Sequence, residues 1–487
     1  HGGRHILPPY IRSSVSMAGK ALKTLYTVES HEMIVDKDGR KENRPVFYGN
    51  ATAILDKVCE ERGIAGPCFI KVLADSGQGS FKVSMIVTKH EIDDNDDDLD
   101  TNESTRSTYA EGGSFAKQFL DTGVKKLIML ANVPDVKESW SNCKLIWDLA
   151  KINDIPYIFA SDYKLSLTML GKQTAVSSYP CPYCYVTLAQ LRGLSNEEPT
   201  ECDDYVEGKE FGGDEDLCDE DFPSGVEALV NTADEVWNTN YAELTFGDLK
   251  KDYQAFKDSG SVYKKAKLFH STVNPSIFEE DDSTRILDKC PVGSLHIYLG
   301  VVNHLYFDEG GLVSIIGKEK AKAWAVKAGA VSVGYHGTVF EGPSCQALLK
   351  KSGYLMSPGF QSDLPNPLLI VPIAQTFIAF EKLVSACFGM GKLKGDVTQL
   401  LDNFIVRYMA LESSVTLKVH ILFEHLIPNL ANLGGEGMGL TSEQVGESIH
   451  HEFNHNFWSR YKINLLTNPQ YAKNWYDANL EFSSKHM

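Results

Sequence analysis

The stretch that most constrains this chain is Pro67–Gly79, PCFIKVLADSGQG. Cys68–Ala74 is an apolar, β-rich run interrupted only by Lys71, and it ends on Asp75 and a Ser-Gly-x-Gly turn. A second β-rich run, Phe81–Lys89, follows at once, so the two predict a hairpin. A carboxylate at the end of a buried strand stands at the mouth of a sheet, where a metal ion can reach it. On this stretch alone a turn-capping Asp is the commoner explanation. The choice depends on which later residues share its sheet.

Along the chain, Ala51–Arg62 has helical spacing at Ile54, Leu55 and Val58. After the hairpin, Lys125–Asn132 predicts a third strand. Val136–Ile152 predicts a helix with Trp140, Cys143, Ile146, Trp147 and Ala150 on one face. Pro156–Ala160 predicts a fourth strand that runs into Ser161 and Asp162. Three strands, a helix and a strand, with acids on the first and last strands, is the order of a ribonuclease-H-like α/β fold. Pairing the first strand with the fourth would set Asp75 and Asp162 side by side.

Residues 1–50 read as an N-terminal lead-in and 51–180 as the first part of the core. Residues 181–430 read as a long, mainly helical insertion, and 431–487 as a helical part that completes the site. The insertion holds an amphipathic helix, Ser294–Tyr306, and a strongly apolar helical stretch, Pro367–Phe388, read as core. Leu440–Tyr461 reads as a helix with Thr441 or Ser442 as N-cap and Glu443 and Gln444 in its first turn. No apolar run approaches the ~18 residues of a membrane helix. The chain begins at His1, which reads as a fragment or processed product.

A net charge of −18 speaks against a nucleic-acid partner until it is located. Glu91–Glu103 carries eight acids and no Lys or Arg, and Glu197–Asp221 carries thirteen acids and one Lys. These two runs account for the whole net charge, and they read as solvated insertions. The remainder is near neutral and leaves room for local DNA-binding faces. The ten cysteines are scattered rather than set out as a disulfide framework, which suits a reducing compartment and one metal site.

Cys181-Pro-Tyr-Cys184 is the tight pair among them. Redox chemistry and zinc compete for such a CxxC; its polar lead-in, Thr174–Pro180, favours zinc. His420 and His425 in KVHILFEHLIP offer two further ligands. Five residues turn a helix by roughly 500°, so the two imidazoles start about 140° apart and the helix must end or distort if both bind one ion. Pro428 is placed to allow that. Two Cys and two His make a closed structural site with no open position for catalysis, and here it would staple the ends of the insertion to the core. Glu447 follows on the helix after the insertion, with Glu443 one turn earlier on the same face as the alternative acid.

In this order the residues resemble the catalytic core of the V(D)J recombinase, the recombination-activating gene family, and its relatives, the Transib transposases. The pattern is Asp75, Asp162, then Cys181 and Cys184, a helical insertion, His420 and His425, and Glu447 in a Ser-Glu-x-x-x-Glu-Ser context. HILPPY near the N-terminus is similar too, so the likeness runs over the whole chain. Two features depart from it: the end-binding domain is absent, and Ile-His-His-Glu follows Ser448 where relatives carry Asn and Lys.

The resemblance implies a nuclear DDE-type transposase or recombinase with Asp75, Asp162 and Glu447 holding two Mg²⁺ or Mn²⁺ ions, and a Zn²⁺ on the Cys₂His₂ set. It implies double-stranded DNA partners (terminal inverted repeats and a target), a homodimer and no membrane. Nicking by water, hairpin formation by the freed 3′-OH and strand transfer would be its reactions. The rivals are a domesticated, non-catalytic DNA-binding protein and a hAT-type transposase, which the CxxC–HxxxxH order disfavours.

Overall fold

Six strands form one mixed sheet in the order β1-β2-β5-β4-β3-β6: β1 Tyr26–Ile34, β2 Lys41–Gly49, β3 Cys68–Gly77, β4 Ser80–Lys89, β5 Ile128–Pro134 and β6 Ile158–Ala160. Ten helices carry the description: α1 Ala51–Arg62, α2 Trp140–Ala150, α3 Tyr163–Met169, α4 Phe246–Asp258, α5 Ser294–Phe307, α6 Ile370–Cys387, α7 Val397–Met409, α8 Leu417–Asn432, α9 Gln444–Phe453 and α10 Tyr471–His486. This computed structural model describes residues 22–66, 68–77, 79–89, 126–192, 237, 241–308, 310–333, 339–364, 366–463 and 466–486. Both acidic runs and residues 1–18 lie outside the described residues.

The chain divides into two units, one of residues 1–174, 245–291 and 443–487, the other of residues 175–244 and 292–442. The first unit holds the sheet. β3 and β4 are the expected hairpin, in register from Cys68↔Lys89 to Gly77↔Ser80. Gly79 takes the positive φ of +88° that so short a connection demands. β5 joins β4 antiparallel, and β6 joins β3 parallel with Leu73 opposite Ala160. The expected pairing of first and fourth strands is therefore present, and it requires the crossover through α2 that a parallel pair needs. β5 is buried throughout and β3 from Ile70 to Ala74, which is why they read as continuous apolar runs.

β1 and β2 extend the sheet into a part of the chain that sequence reading treats as lead-in. Their residues alternate with polar ones (YTVESHEMI, KENRPVFYG), and a half-exposed hairpin gives a weaker apolar signal than a central strand. α1 is capped as its sequence suggests: Asn50 accepts from the Ala53 amide, and Gly63 closes it in the left-handed region. α9 and α10 pack on the sheet. Trp475 Nε1 donates to the Asn132 carbonyl at 3.1 Å, and Asn132 Nδ2 donates to Asn479 Oδ1 at 2.7 Å.

Residues 245–291, expected in the insertion, belong to the sheet unit instead. Phe278 packs its ring on Phe159 of β6, 5.1 Å between centroids. Gly171, with φ of +77°, lies so close to the Asn274 carbonyl that a Cβ would sit 2.0 Å from its oxygen.

The second unit is mainly helical. α6 packs against α5 and α7, and α8 against α5 and α7. Pro367–Cys387, which includes α6, is long and apolar enough to cross a membrane by length and composition, correcting the reading that no run approaches that length. In this unit its Ile373, Ala374, Phe377, Phe380 and Leu383 are buried.

Candidate metal centres

In the sheet unit, strand pairing sets the first two acids. Leu73 of β3 faces Ala160 of β6 in a parallel register, so Asp75, within β3, and Asp162, just past β6, each two residues further on, lie toward the same end of adjacent strands. Asp162 is the N-cap of α3; its Oδ1 accepts from the Leu165 amide at 2.6 Å. Asp is a favoured cap, and the positive end of the helix dipole stabilises its charge. Asp75, Asp162 and Glu443 line one small cleft with Ala74, Ala160, Ser161 and Gly446.

Glu443 immediately precedes α9 and is buried. The helix begins at Gln444, and neither Thr441 nor Ser442 caps it: Thr441 Oγ1 donates back to the Met438 carbonyl. The structure thus puts Glu443 in the cleft. Glu447 lies within α9, and its side chain falls outside the described residues.

A fourth acid, Glu138, falls in the stretch expected as helix but lies ahead of α2, which begins at Trp140. It pairs with Lys164 at 3.3 Å and is nearly buried. Burial first, then the charges of Asp162 and Asp75, push its carboxyl up to about 7 against the pull of Lys164. Carboxylates crowded to that degree are the mark of a site short of positive charge.

Two lysines and a histidine face these acids from inside the unit. Lys71, Leu73 and Asp75 share one face of β3, and Lys82 stands opposite Asp75 on β4. Lys71 is fully buried; burial lowers its ammonium to about 8, with the Glu443 charge opposing the fall. Lys82, equally buried, is lowered by burial to about 7, with Asp75 opposing. His450 Nε2 lies 2.8 Å from Asp75 Oδ2 and its Nδ1 2.6 Å from Lys82 Nζ. Burial, offset by the hydrogen bond to Asp75, holds the imidazole below its usual range. The single Lys that breaks the apolar run of β3 is therefore part of the site. The donors facing the cleft are hard carboxylate oxygens, the set that suits Mg²⁺ or Mn²⁺ rather than a soft metal.

In the helical unit, Cys181, Cys184, His420 and His425 form a buried cluster whose ligand atoms all lie within 4.8 Å of one another. Cys181 Sγ is 3.5 Å from His425 Nε2, and Cys184 Sγ is 3.3 Å from His420 Nε2. With zinc–sulfur distances of about 2.3 Å and zinc–nitrogen distances of about 2.0–2.1 Å, a tetrahedral S···N edge comes to about 3.5 Å. The cluster is therefore compatible with a structural zinc site.

Burial would push the Cys181 thiol up, but hydrogen bonding within the cluster and the neighbouring imidazoles outweigh it and hold it well below the usual thiol range. Tyr183 packs on His425, and Trp237 and Tyr241 pack on His420, closing the cluster in aromatic rings.

Two expectations about this cluster change. α8 runs without interruption through His420, His425 and Pro428, and the imidazoles converge by side-chain reach, with ring centroids 5.3 Å apart. All four ligands also belong to the helical unit, so a bound ion ties the two stretches of that unit together rather than tying it to the sheet. Among the described residues the cysteines are free thiols.

No protein-family model matches the chain, and no curated protein matches it.

Proposed function

We propose that the sheet unit is a ribonuclease-H-like nuclease core and that the chain is a DDE-type DNA transposase or recombinase of the Transib and V(D)J recombinase kind. One observation carries this reading: Asp75 and Asp162 lie toward the same end of two parallel neighbouring strands and line one cleft with Glu443. The strand order β5-β4-β3-β6, antiparallel except for the last pair, supports it.

Asp75, Asp162 and Glu443 would hold the catalytic Mg²⁺ or Mn²⁺, with Glu138 beside them. Bound there, two such ions supply activation of an attacking oxygen and stabilisation of a leaving 3′-oxygen. The protein's own part is to hold three acids from distant chain positions at one cleft. Asp162 is fixed as the N-cap of α3, and Lys71 and Lys82 stand against the charges of Glu443 and Asp75. Water is the first nucleophile, breaking a phosphodiester at the element end. The freed 3′-OH then attacks the opposite strand, closing a hairpin, or a target strand. The substrate is double-stranded DNA bearing terminal repeats, the working form a homodimer and the compartment the nucleus. The Cys₂His₂ cluster would hold a structural Zn²⁺ that folds the helical unit.

A second reading has its own support. Lys71 and Lys82 already stand against the charges of Glu443 and Asp75, as they would in a domesticated DNA-binding protein that no longer takes up ions. Nicking of DNA with candidate terminal repeats, in Mg²⁺ or Mn²⁺, separates the two. Cleavage by the wild type and none by Asp75→Asn supports the enzyme. Equal DNA binding with no metal-dependent cleavage by either supports the binder.

A further inference from the structure

The sequence departs from its resemblance at Ile-His-His-Glu, and the structure gives the first of those histidines a place. His450 lies one turn beyond Gly446 on α9, at 3% side-chain exposure, with its ring against Asp75 and Gly77 of β3 and Lys82 of β4. Its Nε2 meets Asp75 Oδ2 at 2.8 Å and its Nδ1 meets Lys82 Nζ at 2.6 Å. Lys82 Nζ also donates to Ser80 Oγ at 2.6 Å and lies over the Phe453 ring, 5.3 Å from its centroid. Gly77, two residues past Asp75, makes room: a Cβ there would sit 3.1 Å from the imidazole.

We propose that His450 is a positioning residue for Asp75, fixed by a buried chain that runs Ser80–Lys82–His450–Asp75. This rests on reading the acidic cleft as a metal centre. The imidazole is held on both sides, by Lys82 Nζ at 2.6 Å from Nδ1 and by Asp75 Oδ2 at 2.8 Å from Nε2. The 2.8 Å contact with Oδ2 fixes the rotation of the carboxylate and thereby presents Asp75 to the cleft in one orientation before any ion arrives. Partners of this kind behind a metal-binding carboxylate are worth 10–100-fold in metal affinity. The same chain explains two otherwise costly features of a sheet interior, a fully buried lysine on β4 and a glycine near the end of β3.

The test is Mn²⁺ affinity of the full chain without DNA, read from the electron paramagnetic resonance signal of free Mn²⁺, with the thermal transition measured beside it. His450→Phe keeps shape and removes both polar contacts. It should bind Mn²⁺ 10–100-fold more weakly with a native thermal transition. His450→Gln places an amide N–H near the position of Nε2 and should recover most of the loss, which a merely space-filling role would not produce. Lys82→Met removes the contact at Nδ1 and should weaken binding in the same direction; it carries the test if His450→Phe does not fold. Wild-type affinity in folded His450→Phe or Lys82→Met overturns the positioning role and leaves the metal centre standing. Wild type and Asp75→Asn that bind Mn²⁺ alike, or not at all, overturn the metal centre and this role with it.

Discussion

Replacing Cys184 with serine should cost the helical unit a large share of its stability. The cluster joins chain positions 244 residues apart through Cys181 and His425, and 236 apart through Cys184 and His420. In the chain-entropy description, a cross-link closing a loop of that length removes about 5.5 kcal/mol of freedom from the unfolded chain. A domain is stable by about 5–15 kcal/mol in total. Loss of the cross-link therefore takes a third of the stability at the least.

For a unit of this size, about 5 kcal/mol corresponds to a fall of about 10–20 °C in Tm. Differential scanning calorimetry on wild type and Cys184→Ser, with zinc content measured on both, reads this directly. Chelation of the wild type should reproduce the loss, and hydrogen exchange should locate it in α8. Folded wild type containing no zinc, an unchanged transition in the variant, or a Cys181–Cys184 disulfide would refute the reasoning.

The crowded carboxyl of Glu138 predicts a pH dependence. Its folded value is raised from 4.5 to about 7. Between those values the unfolded chain has lost its proton and the folded chain has not, so stability falls as pH rises through this window. The shift is worth up to about 3 kcal/mol. Glu138→Gln should therefore be the more stable protein at pH 8 in chelator and lose its advantage at pH 4; superimposable denaturant midpoints at both pH values would count against the buried, crowded site. Gly171→Ala should destabilise the sheet unit by about 2–4 kcal/mol, from the positive φ and the clash with Asn274, and a urea midpoint unchanged from wild type would reject that close approach. Glu443→Gln should abolish Mn²⁺-dependent DNA cleavage while Glu447→Gln retains it, and the reverse outcome would move the third acid one turn along α9.

The sequence was legible where chemistry and periodicity coincide. β3 announces itself because a central strand is apolar on both faces, and Asp75 and the glycine turn mark its end. Asp162 announces itself as the acid between a short strand and a helix. The Cys and His pairs carry their own spacing. What stayed hidden has a common cause: each missed feature depends on contacts across the sheet or between distant segments.

β1 and β2 hide because their polar alternation resembles surface chain. Residues 245–291 join the sheet unit through Phe278 on Phe159 and Asn274 on Gly171, contacts that no local pattern encodes. Glu138 and His450 carry no local signal of the burial that the fold gives them. Lys71 looks like a flaw in a strand until Glu443 is placed beside it. Pro367–Cys387 shows the converse, an apolar helix whose composition alone does not separate a core element from a membrane span.

The most direct test of the central claim supplies pre-nicked DNA with a free 3′-OH to the full chain in Mg²⁺ or Mn²⁺ and looks for hairpins or strand-transfer products. Wild type should form them. Asp75→Asn, Asp162→Asn and Glu443→Gln should bind the same DNA at least as well, because removing a carboxylate near phosphates eases repulsion, and should form none. If the wild type binds the DNA as its three variants do and yields no product with either ion, the acidic cleft is not a catalytic centre and the chain is a DNA-binding protein.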